Sequence, residues 1–204
     1  IQIQRGVGTS KNGVSSYAGS VQLFSPNLFD STKIGFGFGA GSYNSIRIFG
    51  EFNSGIKNKK AIYIRASQIF SQGYKYHSSN NSQSVFISSG LFYDKTNWKI
   101  NLLFGRQQNQ LAWLGVLDSL IKLDRKTNAN KNENDKFIQC LYQLQNKWQI
   151  NNNSILETSF YYTFLKGNYD FDLNNFLGIP STSELYNYAF LSHLTGFYSN
   201  YVFS

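Results

Sequence analysis

Several residue types that help to assign a chain to a class of protein are scarce in this sequence. Methionine is absent, proline occurs twice and cysteine once. The lone Cys140 excludes an internal disulfide framework. No apolar run approaches the roughly 18 residues that a membrane-spanning helix needs, so any crossing of a membrane would use strands. With no initiator methionine, no signal peptide and strand-like alternation from residue 1, the sequence predicts an internal piece of a longer protein.

Acidic residues are also few, with 11 Asp and Glu against 19 Lys and Arg. A basic excess indicates nucleic-acid binding when it forms one patch, but here the cations are scattered through turns and loops, which argues against that partner. His77 and His193 lack neighbours at ligand spacing, so we expect neither a metal site nor a cofactor. No nucleophile elbow, carboxylate pair or His/Cys cluster occurs, and the sequence therefore predicts a protein that is not an enzyme.

What the chain does contain is a series of alternating, aromatic-rich segments after Thr32. In one of them Ile100, Leu102 and Phe104 share a face opposite Lys99 and Asn101, a period of two that is typical of strands. Segments of about 9–14 residues suit the 9–11 needed to cross a bilayer and exceed the 5–6 usual in soluble sandwiches. The predicted strands are residues 33–41, 45–54, 60–71, 83–93, 97–107, 136–148, 153–166 and 185–203.

The connections between these strands alternate in length. Short turns are predicted at 56–59, 94–97 and 149–152, whereas the other end carries 72–82, 108–135 and 167–184, with a short exception at 42–44. Outer-membrane barrels have short periplasmic turns and longer extracellular loops. Tyr93, Trp98 and Trp148 all fall beside the short turns, where an aromatic girdle is expected. The sequence therefore predicts an antiparallel, all-β transmembrane barrel segment.

The opening segment carries a family resemblance. It contains Arg5-Gly6, then Ser10 and Gly13, then Ala18-Gly19. It resembles the end of the plug domain of TonB-dependent outer-membrane receptors, which has the form apolar-x-Arg-Gly-x-x-Ser followed by Gly-x-x-x-x-Gly-Gly-x-apolar. Ala18 replaces the first glycine of that final pair. A second piece, residues 111–116, resembles an Ala-Trp-x-Gly-Val element in a loop of one receptor subgroup.

This resemblance implies that residues 1–26 end a plug domain and residues 27–204 begin a larger barrel of roughly 22 strands. It implies uptake of a scarce ligand across the bacterial outer membrane. An iron–siderophore complex is the ligand expected most, and cobalamin or a glycan is the alternative. The partners would be outer-membrane lipid, a small-molecule metal chelate and a TonB-type inner-membrane energy-transducing complex. The docking box for that complex lies N-terminal to residue 1 in the family.

Site residues are expected at two places. The ligand-binding candidates lie in the loops, where each aromatic could instead only pack its loop: Trp113, Leu114, Tyr169 and Phe171, with Phe176 beside them. The candidates for contact between plug and barrel are Arg5, Gly6, Gly13 and Gly19. The resemblance implies that Arg5 is buried against barrel carboxylates, and Glu51 and Glu157 are the candidates in this chain.

Two further patterns are assigned structural roles. Residues 35–40 formally fit the dinucleotide pattern G-x-G-x-x-G/A, but the glycines alternate with aromatics in a strand that no helix follows. We interpret them as the place where the first strand faces the plug. The charged run at residues 122–135 is expected to be solvated and mobile. The acidic residues of the whole loop 108–135 are expected to be solvated and to bind no metal: Asp118, Asp124, Glu133 and Asp135.

Two alternatives remain open at this point. One is a complete eight-stranded outer-membrane barrel with an adhesin-like or structural role, although its interior would hold only its own side chains. The other is a soluble β-sandwich that binds carbohydrate through its aromatic residues, which would bury Ile100, Leu102 and Phe104 in a core.

Overall fold

The structure, a computed structural model, describes residues 2–6, 19–22, 28–172, 175 and 186–203. The predicted site residues Gly13 and Phe176, together with Ser10 and Ala18, lie outside these residues. The elements in order are β1 (Gln2–Arg5), β2 (Gly19–Gln22), β3 (Lys33–Gly41), β4 (Ser45–Asn53), β5 (Lys60–Ser71), β6 (Asn80–Phe92), β7 (Thr96–Gln110), α1 (Asp118–Leu123), β8 (Asn134–Asn151), β9 (Ser154–Phe171) and β10 (Tyr186–Phe203).

Strands β3 to β10 form one eight-stranded antiparallel sheet in which every strand pairs with its neighbours in sequence. This confirms the eight predicted strands. A complete eight-stranded barrel would require β3 to pair with β10, but in the described part of the chain these two strands are the edges of the sheet. The two short strands β1 and β2 form a separate hairpin.

Strand boundaries differ from the prediction mainly at the end of the sheet that carries the long connections, here called the loop end. Strand β7 continues to Gln110 and β9 to Phe171, so the loop predicted to begin at residue 167 begins five residues later. The alternation of apolar and polar residues in β7 ends before the strand pairing does. Beyond the apolar residues, toward the loop end, both faces of β7 carry polar residues such as Gln107 and Gln108. Tyr169 and Phe171 are thus strand residues.

One face of the sheet is made of large apolar side chains that remain exposed. We call it the apolar face; Phe36 is 85% exposed, Ile100 47% and Phe104 43%. A continuous exposed apolar surface of this kind marks an interface with a membrane or another protein. It excludes the soluble sandwich, in which these side chains would form the core. The members of this face include Ile34, Phe36, Phe38, Ile48, Ile100, Phe104, Phe160 and Phe197.

The opposite, polar face carries hydrogen bonds that run across the strands. Ser88 donates to Asn101 (2.7 Å), and Asn101 donates to Gln143 (2.9 Å), joining β6, β7 and β8. Nearer β3, Glu51 accepts hydrogen bonds from Tyr63 (3.0 Å) and Arg65 (2.9 Å). Buried polar groups are stable only when they are paired in this way, so the polar face is built as a bonded lining.

The glycines of β3 lie on this polar face and are covered by side chains of β4. A Cβ at Gly37 would overlap the ring of Phe49, and one at Gly35 would press on Glu51. The Phe49 ring is in turn covered by the Arg65 guanidinium, 4.1 Å from its centroid. Glycine is therefore needed here for close approach. Contact of this strand with a plug stays a prediction.

The opposite end of the sheet, here called the turn end, carries the short connections 54–59, 93–95 and 152–153. At one of them Asn58 and Lys59 both have positive φ (50° and 63°), the geometry of a two-residue hairpin turn. Tyr93, Trp98 and Trp148 lie exposed at this end, as predicted. In the part of the chain that the structure describes, no helix has the length and apolar character to span a membrane.

Candidate ligand-binding surface

Three of the predicted ligand-binding residues come together at the loop end. The rings of Trp113 and Phe171 stack with centroids 6.1 Å apart and planes inclined by 21°. Tyr169 stacks on Phe171 at 6.2 Å and 29°. We call these three residues the aromatic cluster. Because Trp113 is 51% exposed, the cluster presents one ring to an incoming molecule.

The backbone on both sides of Trp113 is fixed by hydrogen bonds. On one side the Leu111 amide donates to the Glu133 carbonyl at 3.2 Å. On the other side the Leu114 amide donates to the Asn130 side-chain oxygen at 2.9 Å. Trp113 is therefore held on a tethered segment rather than on a free loop. For Leu114, the backbone amide is the group that the structure places in this network, and a role in ligand binding stays a prediction.

The charged run at residues 122–135 is organised around buried polar groups. Asn130 is 1% exposed and Glu133 is fully buried. The Glu133 carboxylate accepts hydrogen bonds from the backbone amides of Lys131 (3.0 Å) and Asn132 (3.2 Å). Asp135 accepts a hydrogen bond from Asn109 at 2.7 Å. The expectation that Glu133 and Asp135 are solvated is therefore wrong, whereas Asp118 is exposed as predicted.

These bonds join different connections of the sheet. The His77 ring donates through Nε2 to the Glu133 carbonyl (3.0 Å), which links residues 72–79 to residues 111–133. Asn132 donates to Asp172 at 2.7 Å, which links the same connection to the end of β9. Asn175 donates to the Ala129 carbonyl at 2.5 Å. The aromatic cluster therefore rests on a bonded assembly of several connections.

The chemistry available on this surface is stacking and hydrogen bonding. An exposed indole with two rings behind it can bind a flat, conjugated or apolar ligand through its face. Within the described residues, no cluster of His, Cys, Asp and Glu side chains has the geometry to hold a metal ion.

Three of the predicted plug residues, Arg5, Gly6 and Gly19, lie in or beside the paired strands β1 and β2. Arg5 pairs in register with Gly19, and Gly6 follows with a positive φ of 77°. Arg5 is exposed within this chain, and its burial in a complete barrel stays a prediction. Glu51 instead pairs with Arg65 (2.9 Å), and Glu157 with Lys147 (3.0 Å). A contact of Arg5, Gly6, Gly13 and Gly19 with a barrel stays a prediction.

Sequence reasoning missed the polar residues that support the cluster, chiefly Asn128, Asn130 and Glu133. Their signal was present in the asparagine-rich run at residues 128–134, because asparagine side chains commonly close turns by bonding to nearby backbone. A run of charged residues and asparagines has the composition of a solvated loop. The composition alone therefore does not show which few of these residues become buried. The short helix α1, which begins at Asp118, was also missed.

Solved structures provide the comparison with known proteins. The siderophore receptor PiuA from Acinetobacter baumannii matches with a TM-score of 0.70 and 14% identity, covering 82% of this chain. The ferric-catecholate import receptor Fiu from E. coli K12 matches in its open form (TM-score 0.70, 14% identity) and its closed form (0.64, 15%), each covering 97% of this chain. This chain has the fold of a segment of these receptors.

The receptor fold covers almost the whole chain, but the chain corresponds to only part of each receptor. It spans 26% of the PiuA structure and 35% and 31% of the two Fiu structures. No protein-family model and no curated protein sequence matches the chain. The all-β antiparallel barrel segment predicted from the sequence is confirmed. These comparisons show the fold alone and identify neither the ligand nor the partners of the whole protein.

Proposed function

We propose that the chain is part of a TonB-dependent receptor that imports a scarce ligand across the bacterial outer membrane. In this proposal residues 1–26 end the plug domain and residues 27–204 form the first eight strands of a barrel. The apolar face contacts outer-membrane lipid and the polar face lines the interior. Two unpaired edges are untenable in lipid, so β3 and β10 would pair with further strands of the same barrel.

The ligand we propose is an iron–siderophore complex bound first at the aromatic cluster. The observation that carries this assignment is the stack of Trp113 on Phe171 at the loop end, on a chain with the fold of siderophore receptors. An exposed indole suits the flat conjugated groups with which many chelators hold iron. An inner-membrane energy-transducing complex of the TonB type would then drive the plug between two states of different ligand affinity.

The test is ligand binding by the complete protein in detergent, against a panel of ferric catecholate, ferric hydroxamate, cobalamin and an oligosaccharide. We expect Trp113→Ala to weaken binding of the ferric ligand roughly tenfold, because an aromatic anchor contributes about 1–2 kcal/mol. Phe171→Ala should have a smaller effect in the same direction, since it removes support for the indole rather than the indole itself.

The matched control is Trp98→Ala, which removes a similarly exposed tryptophan (41%) from the apolar face at the turn end. It should leave affinity unchanged. Equal affinity of Trp113→Ala and the unmodified protein would exclude the aromatic cluster as the binding site. Binding of the oligosaccharide alone would contradict the iron assignment and leave a glycan receptor.

A further inference from the structure

Three cations stand together on the apolar face, at its margin toward the loop end. They are Arg106 of β7, Lys136 of β8 and Lys166 of β9, all exposed, and we call them the cationic triad. Ile138 pairs with Arg106 on one side and with Lys166 on the other. These two cations therefore share one row of the sheet, and Lys136 is the next residue on the same face of β8.

The spacing of the triad allows one anionic group to reach all three residues. Neighbouring strands lie about 4.8 Å apart, so the Cα atoms of Arg106 and Lys166 are separated by roughly 10 Å. Lys136 is diagonal to both, at about 7–8 Å. Side chains of this length are flexible enough to converge above Ile138, which is itself uncharged. The triad is thus a compact charge cluster rather than three isolated residues.

Within the part of the chain that the structure describes, none of these three cations belongs to an ion pair; the ion pairs there are formed by Lys33, Lys59, Arg65, Lys122 and Lys147. The nearest acid on the same face is Asp170, which is diagonal to Lys136 across β8 and β9 and accepts a hydrogen bond from Asn168 at 2.9 Å. One carboxylate beside three cations leaves the group with a net positive charge. Like charges this close repel one another. The arrangement therefore favours an external anion.

The position of the triad identifies the kind of anion. The next row toward the turn end consists of Phe104, Cys140 and Phe164, and the row after it includes Tyr142 and Tyr162, whose rings stack at 6.0 Å. The triad thus begins where the apolar surface ends. An amphiphile with its acyl chains on that surface would bring its headgroup to the three cations.

We propose that the cationic triad binds the phosphate groups of a phosphorylated lipid in the outer leaflet of the membrane. Clusters of Lys and Arg beside an apolar membrane surface bind anionic headgroups with about 1 kcal/mol for each cation. Arg106 can in addition bond a phosphate through two N–H groups. This inference rests on the proposed function, because it requires the apolar face to lie in a bilayer with the loop end outside.

The experiment compares the complete protein with a triple variant, Arg106→Gln, Lys136→Gln and Lys166→Gln. The probe is a diphosphorylated, acylated disaccharide lipid, with its dephosphorylated form and inorganic phosphate as separate arms. We expect the triple variant to bind the phosphorylated lipid roughly a hundredfold more weakly, and to bind the dephosphorylated lipid as the unmodified protein does. The charge-matched control replaces Lys57, Lys60 and Lys95 at the turn end, and should retain full affinity.

Equal binding of the phosphorylated lipid by the triple variant and the unmodified protein would overturn the proposal. So would equal binding of the phosphorylated and dephosphorylated forms, or binding of inorganic phosphate as tight as that of the lipid. In the same samples, brominated lipid should quench Trp98 and Trp148, which are exposed beside the apolar face. Absence of quenching would contradict membrane placement itself. Quenching without phosphate discrimination would contradict the triad alone.

Discussion

Asn128 supplies one side-chain amide to three carbonyl oxygens that belong to two different connections. Its Nδ2 lies 2.7 Å from the Tyr76 oxygen, 2.9 Å from that of His77 and 2.9 Å from that of Leu111. Its Oδ1 accepts the Asn130 amide at 3.0 Å. One residue thus ties residues 72–79 to the segment that carries Trp113.

Replacing Asn128 with alanine should loosen this segment without disturbing the sheet. Each hydrogen bond lost to a half-buried carbonyl costs on the order of 1 kcal/mol, so we expect amide hydrogen exchange in residues 111–116 to accelerate tenfold or more. The ferric-ligand affinity should fall while heat resistance of the barrel stays the same. Thr127→Ala is the neighbouring control. Unchanged exchange in the Asn128 variant would show that other contacts hold the segment.

At the scale of single residues, the aromatic members of the site were predictable and their supports were not. Trp113, Tyr169 and Phe171 stand out because large aromatic residues outside the apolar alternation need a separate reason. The burial of Glu133 has no such local signal. Its main chain is fixed by His77, a residue more than 50 positions earlier in the chain, and a contact of that range leaves no mark in the surrounding sequence.

At the scale of the element, β3 illustrates how a strand with little side-chain surface is stabilised by its neighbour. Gly37→Ala should displace the Phe49 ring that covers it, and with it the Arg65 guanidinium. We expect a loss of about 1–3 kcal/mol in unfolding free energy, as for other overpacked sites. Urea titration of the complete protein in detergent, followed by gel mobility, measures the change.

Gly39 provides the matched control on the same strand and the same face. The nearest atom to a Cβ there is the Arg47 Cβ at 4.0 Å, so an added methyl group meets no obstacle. Gly39→Ala should be neutral or stabilising by about 0.4–1 kcal/mol, through the lower entropy of the unfolded chain. Equal destabilisation at both positions would indicate a general intolerance of β3 to side chains and not the overlap with Phe49.

The existence and order of the strands could be predicted because period-two alternation is a local property of the chain. Their ends at the loop end could not be predicted in the same way. Strand β7 ends at Gln110 and β8 begins at Asn134, in stretches where both faces are polar and pairing rests on backbone hydrogen bonds. At the end of β9 the aromatic residues Tyr169 and Phe171 lie on the face opposite the apolar face. Sequence alternation reports burial of one face and is silent where neither face is buried.

At the scale of the whole molecule, the two unpaired edges of the sheet determine how the chain should behave alone. Residues 1–204 refolded in detergent should aggregate or stay unfolded, because β3 and β10 present open backbone edges in the described structure. The measurement is gel filtration combined with heat-dependent gel mobility, with the complete protein as control. A monodisperse, heat-modifiable species from this chain alone would instead favour a self-contained small barrel.

The sequence predicted which end of the sheet carries the long connections, and the structure has the same asymmetry. The way in which separate connections bond to one another could not be predicted. The link from Asn132 to Asp172 joins residues 40 positions apart, and its formation depends on the sheet first bringing the ends of β8 and β9 together.

The hydrogen bonds from Ser88 through Asn101 to Gln143 run across the strands, in the direction in which a sheet curves to close a barrel. A wall braced in that direction resists widening, since enlarging its circumference would break several buried bonds at once. If the chain forms part of the proposed receptor, a ligand larger than the lumen could therefore not pass by widening the barrel wall, and the plug would have to move instead.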